Sequence, residues 1–130
     1  MHSTVNLTYQ AKVSFIVYIY VFIVDFSDMH SNELAKCIKM HSGHVKSLNL
    51  SKNRIGDDGL IMIVKALCDS SIESVNLSGN KITEKNIDSV VGTLKTNKVL
   101  KFLDLSNNGI GSRVVKNKLK NALPSIEVLM

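Results

Sequence analysis

The sequence predicts an α/β solenoid, a row of stacked strand-and-helix units, from two periodic patterns and from its composition. An apolar strand motif recurs three times, and its central residues Leu48, Val75 and Leu103 are separated by 27 and 28 positions. A helical pattern follows each copy. The 130 residues, 45% apolar and 21% charged, suit a single folded domain. We therefore expect a parallel sheet on the concave side and helices on the convex side, joined by right-handed crossovers.

The strand motif is L-x-x-L-x-L-x-x-N-x-L, in which L stands for an apolar residue. It begins at Val45, at Ile72 and at Leu100. Successive side chains of a strand face opposite ways, so the apolar residues point into the core and the residues between them point out. One unit cannot bury its apolar face alone, and for this reason neighbouring units are expected to stack.

Each strand motif is followed by apolar residues at spacings of four and three, which lie on one face of a helix. Acidic residues lie near the predicted helix starts, where a negative charge stabilises the positive end of the helix dipole. The starts are predicted at 56–59 in the first unit and at Thr83-Glu84 in the second. The three apolar sets are Leu60, Val64 and Leu67; Ile87, Val91 and Leu94; and Val115, Leu119 and Ala122.

One asparagine ends each strand motif, at Asn53, Asn80 and Asn108. An asparagine amide both donates and accepts hydrogen bonds, so a column of these residues can satisfy backbone groups that no sheet ladder reaches. The three residues are predicted to form a structural asparagine ladder without a catalytic role.

Residues 45–129 resemble the ribonuclease-inhibitor type of the leucine-rich-repeat family. The resemblance is carried by the 27- to 28-residue spacing and by the order strand, Asn, Ile, Gly, Asp, x, Gly, helix of the first unit. It implies an interaction scaffold that binds another protein on the concave sheet. Some members act on GTPases as activating proteins, and this alternative would depend on Arg54 or Arg113.

The outward strand positions are the candidate partner-binding residues. Phe102 is the only large apolar residue among those of the three units. An aromatic on a polar face either anchors a partner or shields a neighbouring strand. The predicted site consists of Lys46, Asn49, Lys52, Glu73, Asn76, Lys101, Phe102 and Asp104.

The first 44 residues are predicted to form an N-terminal apolar strand and a degenerate capping repeat, followed by three repeats and a truncated fourth strand over 45–130. The strand is expected within 13–24, with Val21 opposite Leu48, and a helix is expected over 32–40 with Ser31 as its cap. The alternative is a membrane or signal segment. Twelve apolar residues are too few to span a bilayer, and no small-residue cleavage site follows.

The last predicted helix stops at Pro124, and residues 126–130 begin a fourth strand. No closing helix follows in this sequence. An open strand edge is a template for pairing, so we expect either that a neighbouring protein covers it or that the sequence is a fragment.

Composition argues against several other functions. Only two of the sixteen basic residues are Arg, so we expect no nucleic-acid binding despite the net charge of +5. A basic face over 95–120 keeps a polyanion or an acidic partner as an alternative. We expect no enzyme activity, cofactor, small-molecule substrate or membrane binding, and a cytoplasmic location, by family analogy in a cytoskeletal or ciliary complex.

Two cysteines, Cys37 and Cys68, are too few for a disulfide framework and are expected to be reduced. His30, Cys37, His41 and His44 lie within fifteen positions, which includes a metal-ligand spacing of four on one helical face. The group matches no zinc signature. We therefore predict no metal site.

Overall fold

The structure is a computed structural model that describes residues 3–4, 18–20, 28–40, 43 and 45–130. Within these ranges, helices alternate with the strands of one sheet from β2 onward. The strands are β1 Ser3–Thr4, β2 Tyr18–Tyr20, β3 Ser47–Asn49, β4 Ser74–Asn76, β5 Phe102–Asp104 and β6 Glu127–Leu129. The helices are α1 Asp28–Met40, α2 Asp57–Leu67, α3 Ile87–Leu94 and α4 Arg113–Ala122.

All the described strands form one parallel sheet, in which they follow each other in chain order. Helix α1 packs on α2, α2 on α3, and α3 on α4. Parallel neighbours of this kind need a long crossover, and a helix supplies it here. The predicted α/β solenoid is therefore confirmed. The central residues Ile19, Leu48, Val75, Leu103 and Val128 lie side by side across the sheet.

The core lies between the sheet and the helices. In all three repeats, the apolar positions of the strand motif are at most 6% exposed. Helix residues Ile63 and Val90 are fully buried against them. Burying a side chain of this size stabilises the fold by about 1.5–3 kcal/mol relative to leaving it exposed. Each repeat thus depends on its neighbours for most of its stability.

Every strand of the three repeats ends in the same tight turn. Lys52, Gly79 and Asn107 occupy equivalent positions and have φ angles of +59°, +69° and +55°. A positive φ costs little for glycine, somewhat more for asparagine, and most for a residue such as lysine. The turn directs the chain from the sheet toward the buried asparagine and then toward the helix.

The second helix start was predicted wrongly. Helix α3 begins at Ile87, after Asn86, and not at Thr83-Glu84. Thr83 instead forms a parallel bridge with Gly109 of the next repeat, and the Glu84 carboxylate accepts hydrogen bonds from that repeat. Contacts between repeats therefore hold these residues outside the helix.

The apolar face of the last helix includes the predicted residues and extends one residue further. Leu119 is buried, and Val115 and Ala122 are half-buried and pack against the core. Leu123, which follows the last residue of α4, is buried as well.

At the end of the chain, β6 pairs with β5 and Val128 lies opposite Leu103, as expected of a fourth strand.

The N-terminal strand pairs with β3 in a different register from the predicted one. Ile19, not Val21, lies opposite Leu48, so the prediction was wrong by two residues. A shift of two keeps every side chain on its own face, and for this reason an apolar run of this length does not specify the register. The rest of the predicted strand within 13–24 lies outside the described residues.

Helix α1 begins at Asp28 rather than after Ser31, so the predicted cap lies inside the helix. Leu34 and Ile38 belong to the buried core of the structure. The division of the chain at residue 44 remains a prediction. None of the helices in the described ranges is long and apolar enough to cross a membrane.

Candidate protein-binding surface

The outward residues of the strands form two columns across the concave face. In β3, β4 and β5 the first and third residues are half-buried, while the central residue is buried. In β6 the flanking residues are exposed. The first column is Ser47, Ser74, Phe102 and Glu127, and the second is Asn49, Asn76, Asp104 and Leu129.

The second column combines a structural role with an exposed polar group. The Oδ1 atom of Asn76 accepts hydrogen bonds from the Ser78 backbone N–H at 2.9 Å and from its hydroxyl at 2.7 Å. Asn49 and Asp104 make the same pair of bonds to the serine two residues on. Among the described residues, the second oxygen of Asp104 accepts no hydrogen bond. It is therefore available to a partner.

The charged residues next to the strands use their backbone, rather than their side chains, within the fold. The carbonyl oxygen of Lys46 accepts from the Glu73 N–H at 2.8 Å, and that of Glu73 accepts from the Lys101 N–H at 2.8 Å. Lys46, Lys52 and Lys101 are exposed, and Glu73 is half-buried. None of the four side chains forms an ion pair with another described residue. Their charges therefore face solvent at the rim of the concave surface.

Phe102 lies in the first column between Ser74 and Glu127. It is half-buried, and the strand that carries it is paired on both sides. Leu129 lies on the same face of the neighbouring strand and is 42% exposed. Glu127 and Leu129 were not among the predicted binding residues, although the predicted fourth strand already placed them at outward positions.

The ladder residues Asn80 and Asn108 form hydrogen bonds with backbone groups of their own repeat and of the preceding repeat. Asn80 is 7% exposed, and its Nδ2 donates to the carbonyl oxygens of Leu77 at 2.9 Å and Leu50 at 3.0 Å. Its Oδ1 accepts the Ile55 N–H at 3.0 Å. Asn108 repeats this arrangement toward Leu77 and Ile82. The side-chain amides of Asn80 and Asn108 therefore connect neighbouring repeats.

A second link between repeats was missed in the sequence. The Asp57 carboxylate accepts the Thr83 backbone N–H at 2.8 Å and its hydroxyl at 2.6 Å. One repeat later, Glu84 accepts the N–H groups of Gly111 at 3.1 Å and Ser112 at 2.7 Å. The helix-start position of Asp57 and Glu84 suggested only an interaction with the helix N-terminus. The structure shows that both carboxylates connect consecutive loops.

Buried polar groups at the ends of the helices were also missed. Asn97 is 5% exposed; its Nδ2 donates to the Leu67 carbonyl at 3.2 Å, and its Oδ1 accepts the N–H groups of Val99 and Leu100, both at 2.9 Å. Ser70, one repeat earlier, donates to the same Leu67 carbonyl at 3.1 Å. Ser70 and Asn97 are 27 positions apart, which is one repeat, and this spacing was the signal in the sequence for their shared role. The signal was weak because one residue is a serine and the other an asparagine.

The remaining candidate groups are the His–Cys cluster, the two cysteines and the basic face. The described residues contain no group of three or more His, Cys, Asp or Glu side chains that could hold a metal, and His41 and His44 lie outside the described part. Burial raises the pKa of the Cys37 thiol, while Cys68 is exposed. On the basic face, Lys118 pairs with Asp88 of the preceding helix.

Family models for leucine-rich repeats match most of the repeat region. One, described as "Leucine Rich repeat", matches residues 41–64 and 96–113. A second, described as "Leucine Rich Repeat", matches residues 71–92. Each of these three matched stretches includes one copy of the strand motif or most of it.

Two curated relatives are similar to more than half of the chain. Human "NACHT, LRR and PYD domains-containing protein 13" is 37% identical over 71 residues, which cover 53% of this chain and 7% of that protein. Pig ribonuclease inhibitor is 30% identical over 90 residues, covering 65% of this chain and 20% of the inhibitor. The chain thus spans a fifth or less of the length of the relatives that it matches.

Two solved structures share the fold at low sequence identity. The structure named for actin-binding site 2 of leiomodin-1 matches with a TM-score of 0.73 and 19% identity, over 95% of this chain and 72% of that one. An internalin of Listeria monocytogenes matches with a TM-score of 0.50 and 17% identity, over 98% and 38%. From the repeats, the family-model matches and the two curated relatives, we conclude that the chain belongs to the leucine-rich-repeat proteins of the ribonuclease-inhibitor type.

Proposed function

We propose that the chain is a protein–protein interaction module or a small scaffold subunit of a larger cytoplasmic assembly, and that it binds through its concave face. Leucine-rich-repeat proteins mediate protein–protein interactions. The observation that carries the proposal is Phe102, a half-buried aromatic among polar columns. The proposal assigns no reaction, cofactor or small-molecule substrate to the chain.

The surroundings of Phe102 suit a binding anchor. Its strand is hydrogen-bonded to both neighbours, so little backbone freedom is lost when a partner binds. The exposed side chains of Lys101 and Glu127 form a polar rim beside it. Interfaces commonly derive most of their affinity from a central aromatic within such a rim, and truncating one costs about 2 kcal/mol or more.

The fold match suggests a first partner to test. The leiomodin-1 structure is named for an actin-binding site, and the likeness shows the fold alone. We therefore treat a cytoskeletal assembly as part of the proposal and actin as its first candidate. Co-sedimentation of the chain with filamentous actin tests this directly. A chain that stays in the supernatant at saturating filament concentration would remove actin from the candidates.

Site-specific crosslinking tests the concave face independently of the partner's identity. A photo-crosslinking residue at Ser74 lies in the first concave column beside Phe102. One at Gly92 lies on the outer side of α3, where a new Cβ meets nothing within 4 Å. In a cytoplasmic extract we expect discrete adducts from Ser74 and few from Gly92. Equal adducts from both positions, or adducts from Gly92 only, would contradict the proposal.

The GTPase-activating alternative differs in requiring an effect on nucleotide turnover. No contact among the described residues favours it over binding alone. A GTP-turnover assay with the unchanged chain and with Arg54→Ala separates the two functions. A pure binding module leaves the turnover rate of a GTPase unchanged in both cases, whereas an activator that uses Arg54 raises it and the variant does not.

A further inference from the structure

We propose that four side chains at the β5–β6 end of the concave face form one docking subsite for a partner segment in which an arginine adjoins a large apolar side chain. The four residues are Phe102, Asp104, Glu127 and Leu129, and we refer to them as the acidic–apolar quartet. The inference rests on the proposed concave-face binding and adds the chemistry of the partner.

The register of the two strands sets the arrangement of the quartet. Phe102 lies beside Glu127, and Asp104 lies beside Leu129. All four point away from the buried Leu103 and Val128. Neighbouring strands are about 4.8 Å apart, and alternate residues of a strand are about 6.6 Å apart. The two apolar side chains therefore occupy one diagonal of a small rectangle, and the two carboxylates occupy the other.

The two carboxylates have no cation within the described part of the chain. Neither Asp104 nor Glu127 forms an ion pair there. Asp104 uses one oxygen for the Ser106 N–H and hydroxyl, which leaves its second oxygen for a ligand. Glu127 donates its backbone N–H to the Lys101 carbonyl, and its side chain is exposed. Two like charges near one another attract a cation from a partner.

The apolar residues Phe102 and Leu129 determine which partner side chain fits next to that cation. Phe102 is half-buried and Leu129 is 42% exposed, so both have surface to bury against an apolar side chain. A guanidinium group can stack on an aromatic ring while pairing with carboxylates, and an ammonium group is less suited to this geometry. The quartet therefore fits arginine next to a leucine-sized or aromatic residue better than either chemistry alone.

The rest of the concave face provides the contrast. The outward residues of β3 and β4 are Ser47, Asn49, Ser74 and Asn76, which are small or uncharged. Within the two columns of β3–β6, large apolar side chains and unpaired carboxylates therefore occur only in β5 and β6. Glu127 and Leu129 belong to β6, the last strand of the described sheet, and their side chains point to its face. A further strand paired with β6 would therefore leave them on the concave surface.

A random 12-residue peptide library displayed on phage, selected against the full chain, tests the inference. We expect enrichment of peptides with arginine next to an aromatic residue or leucine. The dissociation constant of a selected peptide is then measured by fluorescence anisotropy. Asp104→Asn removes the charge but keeps the Oδ1 acceptor, because Asn76 makes the same bonds to Ser78. We expect this change and Glu127→Gln each to weaken binding about threefold to tenfold in low salt.

The matched control is Asp58→Asn, which removes an exposed carboxylate at the start of α2, away from the sheet columns. We expect it to leave the dissociation constant within about twofold. Circular dichroism of each variant checks that the fold is kept.

The outcomes separate this inference from the proposed function. Peptides that need Phe102 but lack arginine, or that ignore both charge variants, would overturn the quartet's charge preference and leave concave-face binding in place. A library that yields no peptide sensitive to Phe102→Ala would contradict both. A concentration-dependent dimer that is lost in Glu127→Gln would assign the quartet to a second copy and overturn the partner segment.

Discussion

The side-chain oxygen of Asn80 accepts the backbone N–H of Ile55, which lies one repeat earlier, at 3.0 Å. The same side chain donates to the carbonyl of Leu50 in that earlier repeat. One carboxamide thus satisfies both a donor and an acceptor that the three-residue strands leave unpaired. A side chain in this position makes the stability of each repeat depend on the next.

Replacing this asparagine is therefore expected to be costly. Asn80→Ala leaves the Ile55 N–H without its acceptor in a buried site, and three carbonyls lose a donor. We expect a loss of about 2–4 kcal/mol in the free energy of unfolding. Urea unfolding followed by circular dichroism measures it. The control Asn117→Ala, on the exposed side of α4, is expected to change stability by less than about 0.5 kcal/mol. Equal effects from the two changes would contradict the ladder.

The left-handed turn at the end of each strand predicts a stabilising substitution. Lys52 has a φ of +59°, whereas the equivalent residue of the next repeat is Gly79. Lys52→Gly relieves the steric cost of the left-handed conformation, and we expect a gain of up to about 1 kcal/mol. Gly79→Ala is expected to lose about 1 kcal/mol, because its new Cβ meets atoms at ordinary contact distances and only the backbone is strained. Thermal unfolding of both variants tests the pair, and a lower midpoint for Lys52→Gly would refute it.

The link between Asp57 and Thr83 predicts a coupling across repeats. Asp57→Ala removes two hydrogen bonds to the next repeat, while Asp58→Ala removes an exposed carboxylate that is its immediate neighbour in the chain. We expect a cost of about 1 kcal/mol for the first change and little for the second. A double-mutant cycle with Thr83→Val should give a coupling energy of about 0.5–1 kcal/mol. Because Thr83→Val keeps the backbone N–H, a coupling indistinguishable from zero would show that the hydrogen bond from the Thr83 hydroxyl to Asp57 contributes nothing to stability.

The two cysteines are expected to react at different rates in the folded protein. Cys37 is buried, and burial raises the pKa of its thiol, whereas Cys68 is exposed. Because the thiolate is the nucleophile, iodoacetamide at pH 8 should modify Cys68 first and Cys37 only after unfolding. Mass spectrometry counts the modified thiols over time. Equal rates would mean that α1 does not shield Cys37.

The same shift sets a dependence of stability on pH. The pKa of Cys37 is higher in the folded state than in the unfolded state. The contribution of this thiol to the free energy of unfolding is therefore fully present below the ordinary thiol pKa and is lost as the pH rises through the folded-state pKa. We expect Cys37→Ser to flatten the alkaline decrease in stability. An unchanged alkaline slope would exclude Cys37 as its source.

The repeats could be predicted from the sequence because each apolar column of the strand motif is buried in every unit. Leu48, Val75 and Leu103 occur at nearly constant spacing and lie side by side in one sheet. The register of β2 could not be predicted, because an uninterrupted apolar run fits equally well at shifts of two residues. The start of α3 was missed because Thr83 bonds to a neighbouring repeat, a tertiary contact that local capping patterns do not encode.

The outward positions of the strand residues could be predicted from the sequence. Phe102 and Asp104 lie on the outward face of β5, as the alternation of side chains predicts. Which atoms remain available to a partner was not predictable, because Asn49 and Asp104 each commit one oxygen to a serine two residues away. The binding role of all these residues remains a prediction that the partner experiments test.

The most direct test of the proposed function compares two truncations of apolar side chains on opposite sides of the molecule. Phe102→Ala removes the concave anchor, and Val114→Ala removes a side chain of α4 that is 76% exposed. The dissociation constant of each variant for a partner identified by crosslinking is measured by isothermal titration calorimetry. We expect at least about a tenfold weaker complex for Phe102→Ala and a change below twofold for Val114→Ala. A complex unaffected by Phe102→Ala, or weakened more by Val114→Ala, would contradict binding through the concave face.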